Sequence, residues 1–313
     1  MKTKGVAEGG IVSGLVVVIA LISIYFPFSM TLTLLLTLFL PVPIVVLGRR
    51  HNLMTSVISG VTAMLIMFLF VNPISALSLG VYFCAIGNTL VYGLSKGWNT
   101  ARRIITVGLV LVFIIFAGIG LFEIITGQRY IEMIASEAKV AMDAVLETYQ
   151  KLGVFDAEQE NLMGEAAQVF IKTIPMTIPA MLLILPFVMS WWINLLTGFT
   201  FKRLRMPIAP VLPLSYWKAD MPQKVFVVVL FVVGWLPIGE VYKMTFNLIM
   251  YTIYGVMGLS FIYHLIETKT KKPSMLLKVL TVVATVLFQP VTLLLTMVGM
   301  FDFFIDLKGR ITK

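Results

Sequence analysis

The chain has 313 residues, 59% of them hydrophobic and only 12% charged, with a mean hydropathy of +0.98. Soluble domains carry about a quarter charged residues, so this composition excludes an ordinary soluble protein. The net charge of +9 does not indicate nucleic acid, because the basic residues cluster at the ends of apolar runs, where anionic lipid headgroups lie, and no basic stripe interleaves with aromatics.

A helix needs about 20 apolar residues to cross the hydrocarbon core. The first such run, Gly9 to Phe26, follows Lys2 and Lys4 as a signal peptide would. It lacks a small-residue cleavage site and is expected to be a retained helix. Runs follow at Ser29 to Leu47, Leu53 to Val71, Ala76 to Leu94 and Ile104 to Thr126. Pro41 and Pro43 lie inside the second run, where each removes a backbone donor and bends the helix.

From Gly127 to Pro175 the chain is not membrane-like. Four basic residues stand against eight acidic ones, among them Glu132, Glu137, Asp143 and Glu147. Tyr130, Ile134, Ala138, Ala141, Val145 and Tyr149 recur at steps of three and four, which predicts an amphipathic helix. Gly153 is expected to stop it, and Asp156 to cap a second helix carrying Leu162, Ala166, Val169 and Phe170. The interval reads as a helical hairpin on the outer face, a lid or rim rather than an enzymatic domain.

Apolar runs resume at Ile178 to Phe199, Val225 to Ile238, Met244 to Ile266 and Met275 to Phe301. The run from Val225 is short and suits a tilted or membrane-thinning helix. In the last run, Gln289-Pro290 marks a point where one span can break into two half-helices and return the C-terminus to the cytoplasm.

Sidedness follows from charge. Arg49, Arg50, Lys96, Arg102, Arg103, Lys202, Arg203, Arg205, Lys218, Lys224, Lys269, Lys271 and Lys272 all fall in alternate turns, while Tyr25 to Met30 and Val71 to Ser75 carry no charge. Short loops rich in Lys and Arg stay in the cytoplasm, which puts the N-terminus inside. The expected fold is all-α: a polytopic membrane bundle of eight or nine transmembrane helices with an extracytoplasmic helical hairpin. Its parts are a five-helix bundle at 1–126, the hairpin at 127–175 and a second bundle of three or four helices at 176–313.

Catalytic signatures are missing from the sequence. No Gly-Lys-Ser/Thr phosphate loop and no Gly-x-Ser-x-Gly elbow occurs. A single cysteine, Cys84, rules out an internal disulfide, and His51 and His264 cannot make a metal site alone; each is expected to be an interfacial ring meeting water. No enzyme activity, cofactor or metal is expected. Two other groups invite a role. Gly10, Ser13 and Gly14 form a small-residue face on the first helix, and Ser56, Ser59, Gly60 and Ala63 repeat the pattern in the third run; such residues let helix backbones approach closely in lipid. Glu123, Glu240, Tyr242, Lys243 and Asn247 gather near the outer ends of spans, where ionisable groups can floor a solute pocket or simply meet water.

Ala7-Glu8-Gly9-Gly10, Leu40-Pro41-Val42-Pro43 shortly before Arg49-Arg50-His51, Tyr216-Trp217 before Met221-Pro222, Met257-Gly258-Leu259-Ser260, and Asp302-Phe303-Phe304-Ile305-Asp306-Leu307-Lys308 follow one another in a characteristic order. In that order the chain resembles the YybS-like family of predicted bacterial membrane proteins over nearly its whole length. That family is grouped by similarity with the substrate-binding S components of energy-coupling factor transporters and with the rod-shape-determining membrane protein D. The resemblance implies a bacterial inner-membrane bundle without catalytic residues. By the S-component analogy it also implies that the small residues of the first helix meet a transmembrane coupling partner. The expected function is a solute-binding or transport-related subunit; the alternative is a membrane scaffold that recruits cell-envelope or division proteins.

Overall fold

The computed structural model describes residues 3–26, 30–152, 157–207, 212–270 and 275–311. Gly153, Asp156, Lys271 and Lys272 lie outside them. Every regular element among the described residues is helical. In chain order these are α1 (Thr3–Tyr25), α2 (Met30–Phe39), α3 (Pro41–Arg50), α4 (Leu53–Met67), α5 (Pro73–Ser95), α6 (Thr100–Thr126), α7 (Tyr130–Leu152), α8 (Ala157–Arg203), α9 (Met221–Gly234), α10 (Glu240–Lys269), α11 (Met275–Leu287), α12 (Gln289–Ile305) and α13 (Leu307–Ile311). A single 3-10 turn, Leu214–Tyr216, precedes α9.

Local chemistry sets the starts. Asn52, Asn72 and Asn99 cap α4, α5 and α6, each side-chain oxygen accepting a backbone N–H three residues on at 2.8 Å. Pro41, Pro73, Pro222 and Pro290 occupy the first turns of α3, α5, α9 and α12, where a missing N–H costs nothing. Gly127 closes α6 in the left-handed conformation, at φ 69°.

Among the described residues six helices are long and apolar enough to cross a membrane: Thr3–Tyr25, Thr31–Arg50, Pro73–Ser95, Thr100–Thr126, Asn161–Arg203 and Glu240–Lys269. The bent pair Met275–Thr285 and Gln289–Ile305, folded by 109°, makes up to a seventh. The break expected at Gln289-Pro290 is therefore present. The second run counts as one span although α2 gives way to α3 at Pro41. At this junction Gly87 of α5 lets Ile44 and the Pro41 carbonyl come close.

The span expected from Leu53 is shorter than its apolar run, and the run from Val225 gives a helix as short as expected. α4 has 15 residues and α9 has 14. At about 1.5 Å per residue they reach little more than ~20 Å, against ~30 Å of hydrocarbon. The polar interval also differs from the expected hairpin. α7 forms as the periodicity requires, with no side chain buried. Its partner does not end at the membrane: α8 runs unbroken for 47 residues through Pro179 and Pro186. A change from polar to apolar sequence marks a change of solvent, and the backbone need not break there.

The chain divides into two compact units, 1–127 with 185–211, and 128–184 with 212–313. In the first, α3, α4 and α5 pack on one another, α1 lies along α4, and α6 lies on α5. Val16, Ala20, Ile44, Met67, Phe83, Ile86 and Leu90 make its core. Polar side chains are buried here too, Ser13, Thr55, Ser56 and Ser59 among them, while Ile105, Leu109, Phe113 and Phe116 form an exposed stripe along α6. Large apolar side chains outside and small polar ones inside is the pattern of a bundle whose surroundings are lipid.

In the second unit α10 pairs with α12, with α9 and the 3-10 turn also packed on α10. Val227, Met250, Met257 and Phe303 are its core. The α10–α12 pairing rests on Gly258 and Gly299: a methyl at Gly258 would run into the Leu295 carbonyl, and one at Gly299 into the Tyr254 carbonyl. Two backbones touch at this crossing.

Candidate functional site

Gly239 leads into α10, whose first turns present Glu240, Lys243 and Asn247 at steps of three and four on one side. Lys243 Nζ lies 3.4 Å from Glu240 Oε1. Across from them, the end of α9 and the turn after it bring up Phe231, Gly234 and Trp235, the two rings 6.0 Å apart. With Met250, Lys243 and Asn247 these residues line an open groove of about 290 Å³. Glu240 adjoins it through its ion pair with Lys243. Tyr242 is 63% exposed and does not join the lining. Glu123 lies on α6, in the first unit.

The small-residue face of α1 divides in two. Ser13 is buried against α4, where its hydroxyl donates to a backbone carbonyl, that of Ser59 at 2.8 Å or of Gly9 at 2.9 Å, and lies 2.9 Å from the Ser59 hydroxyl. Ser59 Oγ in turn donates to the Gly9 carbonyl at 2.8 Å. Gly5, Gly9, Ser13, Val16, Val17 and Ala20 are the buried side, so Ser13 is taken up inside the unit. Gly10 and Gly14 point away, and a methyl at either would meet nothing within 4 Å.

Two polar clusters join segments far apart in sequence. Glu8 Oε2 lies 3.0 Å from His51 Nε2 and 3.9 Å from Arg50 Nη1, with the His51 ring over Gly5. His51 is thus half-buried and paired, not the wetted ring expected. At the other end of the chain, Lys308 and Asp302 are both buried and face each other across 3.0 Å. Lys308 Nζ also donates to Ser260 Oγ at 2.6 Å and to the Trp217 carbonyl. Ser260 passes its own proton to the Leu214 carbonyl at 2.5 Å. Asp302 Oδ1 accepts the Lys308 backbone N–H at 3.1 Å. Beside this cluster, Asp306 adopts φ 52° and holds Lys218 Nζ at 3.0 Å. Burial raises the Asp306 pKa, but the Lys218 hydrogen bond, the Gly309 N–H and the nearby lysine charges outweigh it, so the carboxyl sits below its ordinary value.

These clusters tie the short sequence motifs together: Ala7-Glu8-Gly9-Gly10 meets Arg50-His51, and Trp217, Ser260, Asp302 and Lys308 meet one another. Residues 14–303 match the family described as "Predicted membrane protein (DUF2232)". The chain belongs to this family. With its six to seven membrane-capable helices it is a multi-pass membrane protein. Searches of curated proteins and of solved structures find no match. Among the described residues no three His, Cys, Asp or Glu side chains gather closely enough to hold a metal ion.

The sequence signal for the buried knot was present in Asp302 to Lys308, but its partners, Ser260 and the Trp217 carbonyl, are 48 and 91 residues away. Hydropathy and spacing carry no information over such separations.

Proposed function

We propose that this protein is a non-enzymatic membrane subunit that binds a small solute in the groove between α9 and α10. The observation that carries the reading is the placement of the Lys243 ammonium and the Asn247 carboxamide beside Phe231 and Trp235. One cation, one amide and two aromatic faces suit a small molecule with an acidic or hydrogen-bonding group and an apolar body. The charge alternation sets this turn on the outer side of a bacterial inner membrane, with the N-terminus in the cytoplasm. Counting the short α4 and α9 as membrane-thinning spans gives eight or nine crossings, and places α7 and the start of α8 outside. A nucleotide motif is missing from the sequence, so energy for uptake would come from a separate partner, as in the S components the chain resembles. The open Gly10/Gly14 face of α1 is where a transmembrane partner helix would seat.

That same open face favours a second reading, a scaffold that recruits envelope or division proteins and binds no solute. Purification from native membranes, followed by mass spectrometry of bound small molecules and proteins, separates the two. The solute reading expects a small molecule that is retained by the wild type and lost from Lys243→Met and Asn247→Ala. Retention of the same molecule by both variants, or recovery of envelope proteins with no small molecule, overturns it.

A further inference from the structure

Arg103 is the one cation of the α5–α6 connection that is withdrawn from solvent. Its side chain is 2% exposed. Nη2 donates to the Thr100 hydroxyl at 3.1 Å, while Nε is enclosed and has no hydrogen-bond partner. No carboxylate among the described residues lies within 4 Å of it to form an ion pair. A guanidinium shielded from water without a counter-ion is strongly unfavourable, and it is ordinarily paired or bound to an anion.

Its position makes this sharper. Arg103 closes the first turn of the 27-residue α6, four residues after the Asn99 cap. That end of a helix carries the positive pole of the macrodipole and favours anions over cations. Side chains of a helix lean toward its N-terminus, which is how Arg103 reaches back to Thr100. Arg102 supplies a second guanidinium in the same turn, held over the Trp98 ring at 4.6 Å. α8 backs the site: Ser190 Oγ donates to the Ile104 carbonyl at 2.8 Å and Phe187 packs on Gly108. Farther along α8 the Thr197 hydroxyl is also buried without a hydrogen-bond partner.

From these observations we infer that the head of α6 is a binding site for a phosphate oxyanion. Arg103 grips it from within the bundle and Arg102 from the aromatic face of Trp98, beside the positive end of the helix dipole. Planar guanidinium forks match the oxygens of a phosphate in pairs, which a lysine ammonium does not. The same chemistry is offered by an anionic lipid headgroup and by free phosphate. This site is separate from the α9–α10 groove and does not rest on it.

The test uses the full chain, first in detergent with inorganic phosphate titrated against chloride at constant ionic strength. It is then repeated in nanodiscs of phosphatidylglycerol or of a galactolipid that contains no phosphate. Thermal unfolding is read in each case. A rise in midpoint with inorganic phosphate assigns a free anion; a rise confined to phosphatidylglycerol assigns a lipid. Arg103→Gln keeps a polar but shorter, uncharged side chain and is expected to weaken the response about tenfold or more, the loss of a charge-assisted hydrogen bond. Arg103→Lys should recover it only in part. A wild-type midpoint indifferent to both phosphate and lipid overturns the site, as does a full response in Arg103→Gln. The wild-type arms decide the matter even where a variant does not fold.

Discussion

Lys308 Nζ lies 3.0 Å from Asp302 Oδ2, and neither side chain is accessible to solvent. The pair clamps α13 onto α12, and through Ser260 and Trp217 it ties both to α10 and to the loop before α9. Removing one member strands the other charge in a dry site. Lys308→Met is therefore expected to cost about 3–5 kcal/mol, while Lys308→Met with Asp302→Leu recovers a large part of that loss. Unfolding of purified protein in detergent measures both. A single variant as stable as the wild type would show that the pair is wetted or dispensable.

Glycines on two helices should behave oppositely. Gly299 faces the Tyr254 carbonyl and the Gly258 backbone, so Gly299→Ala forces α12 away from α10 and is expected to destabilise the protein by at least the ~1–3 kcal/mol typical of overpacking. Gly14 faces open space, so Gly14→Leu is expected to leave the unfolding of the isolated protein unchanged. Its effect should fall on partner recovery from native membranes. Equal destabilisation by the two substitutions would contradict the division of α1 into a closed and an open side.

That division shows where sequence reasoning stops. Gly9 and Gly10, and Ser13 and Gly14, are adjacent small residues, and each neighbour is turned by about 100° around the helix. Spacing alone finds the small residues but cannot tell which row meets α4. The apolar runs, by contrast, were legible because burial in lipid demands length and hydropathy directly. The Pro290 break was legible as well, since proline cannot donate the hydrogen bond that would continue the helix. The fusion of the polar segment with the sixth span into α8 was not, because the change from polar to apolar sequence reads as a boundary between elements. In the candidate site, Lys243 and Asn247 could be named from α10 alone. Phe231 and Trp235 read only as part of a short apolar run until α9 was seen to stop at Gly234 and turn them toward α10.

Acid should loosen the C-terminal end through Asp306. Its folded pKa lies below the ordinary value of 3.8, so ionisation favours the folded state. The contribution is complete above that ordinary value and fades as pH falls through the lower folded value. Asp306→Asn preserves a side chain that tolerates the left-handed backbone at φ 52° yet removes the charge. The variant is expected to be less stable than wild type near neutrality and to converge with it in acid. Parallel stability curves down to the acid limb would remove Asp306 as a source of the pH dependence.

Topology is open to a direct measurement. α8 runs from Ala157 to Arg203 without a break. At ~1.5 Å per residue its 47 residues are more than twice as long as the ~30 Å hydrocarbon core, so one end must stand well clear of the membrane. The basic pair Lys202 and Arg203 ends the helix, and the proposed topology puts that end in the cytoplasm and the acidic start outside. Glu158 near the start of α8 and Lys269 at the end of α10 are both exposed and should face opposite sides. In a Cys84→Ser background, a cysteine at Glu158 is expected to react with an impermeant maleimide in intact cells. One at Lys269 should react only after permeabilisation. Reaction of both from the same side would invert or shorten the proposed sequence of spans, and with it the outward placement of the Lys243 and Asn247 groove.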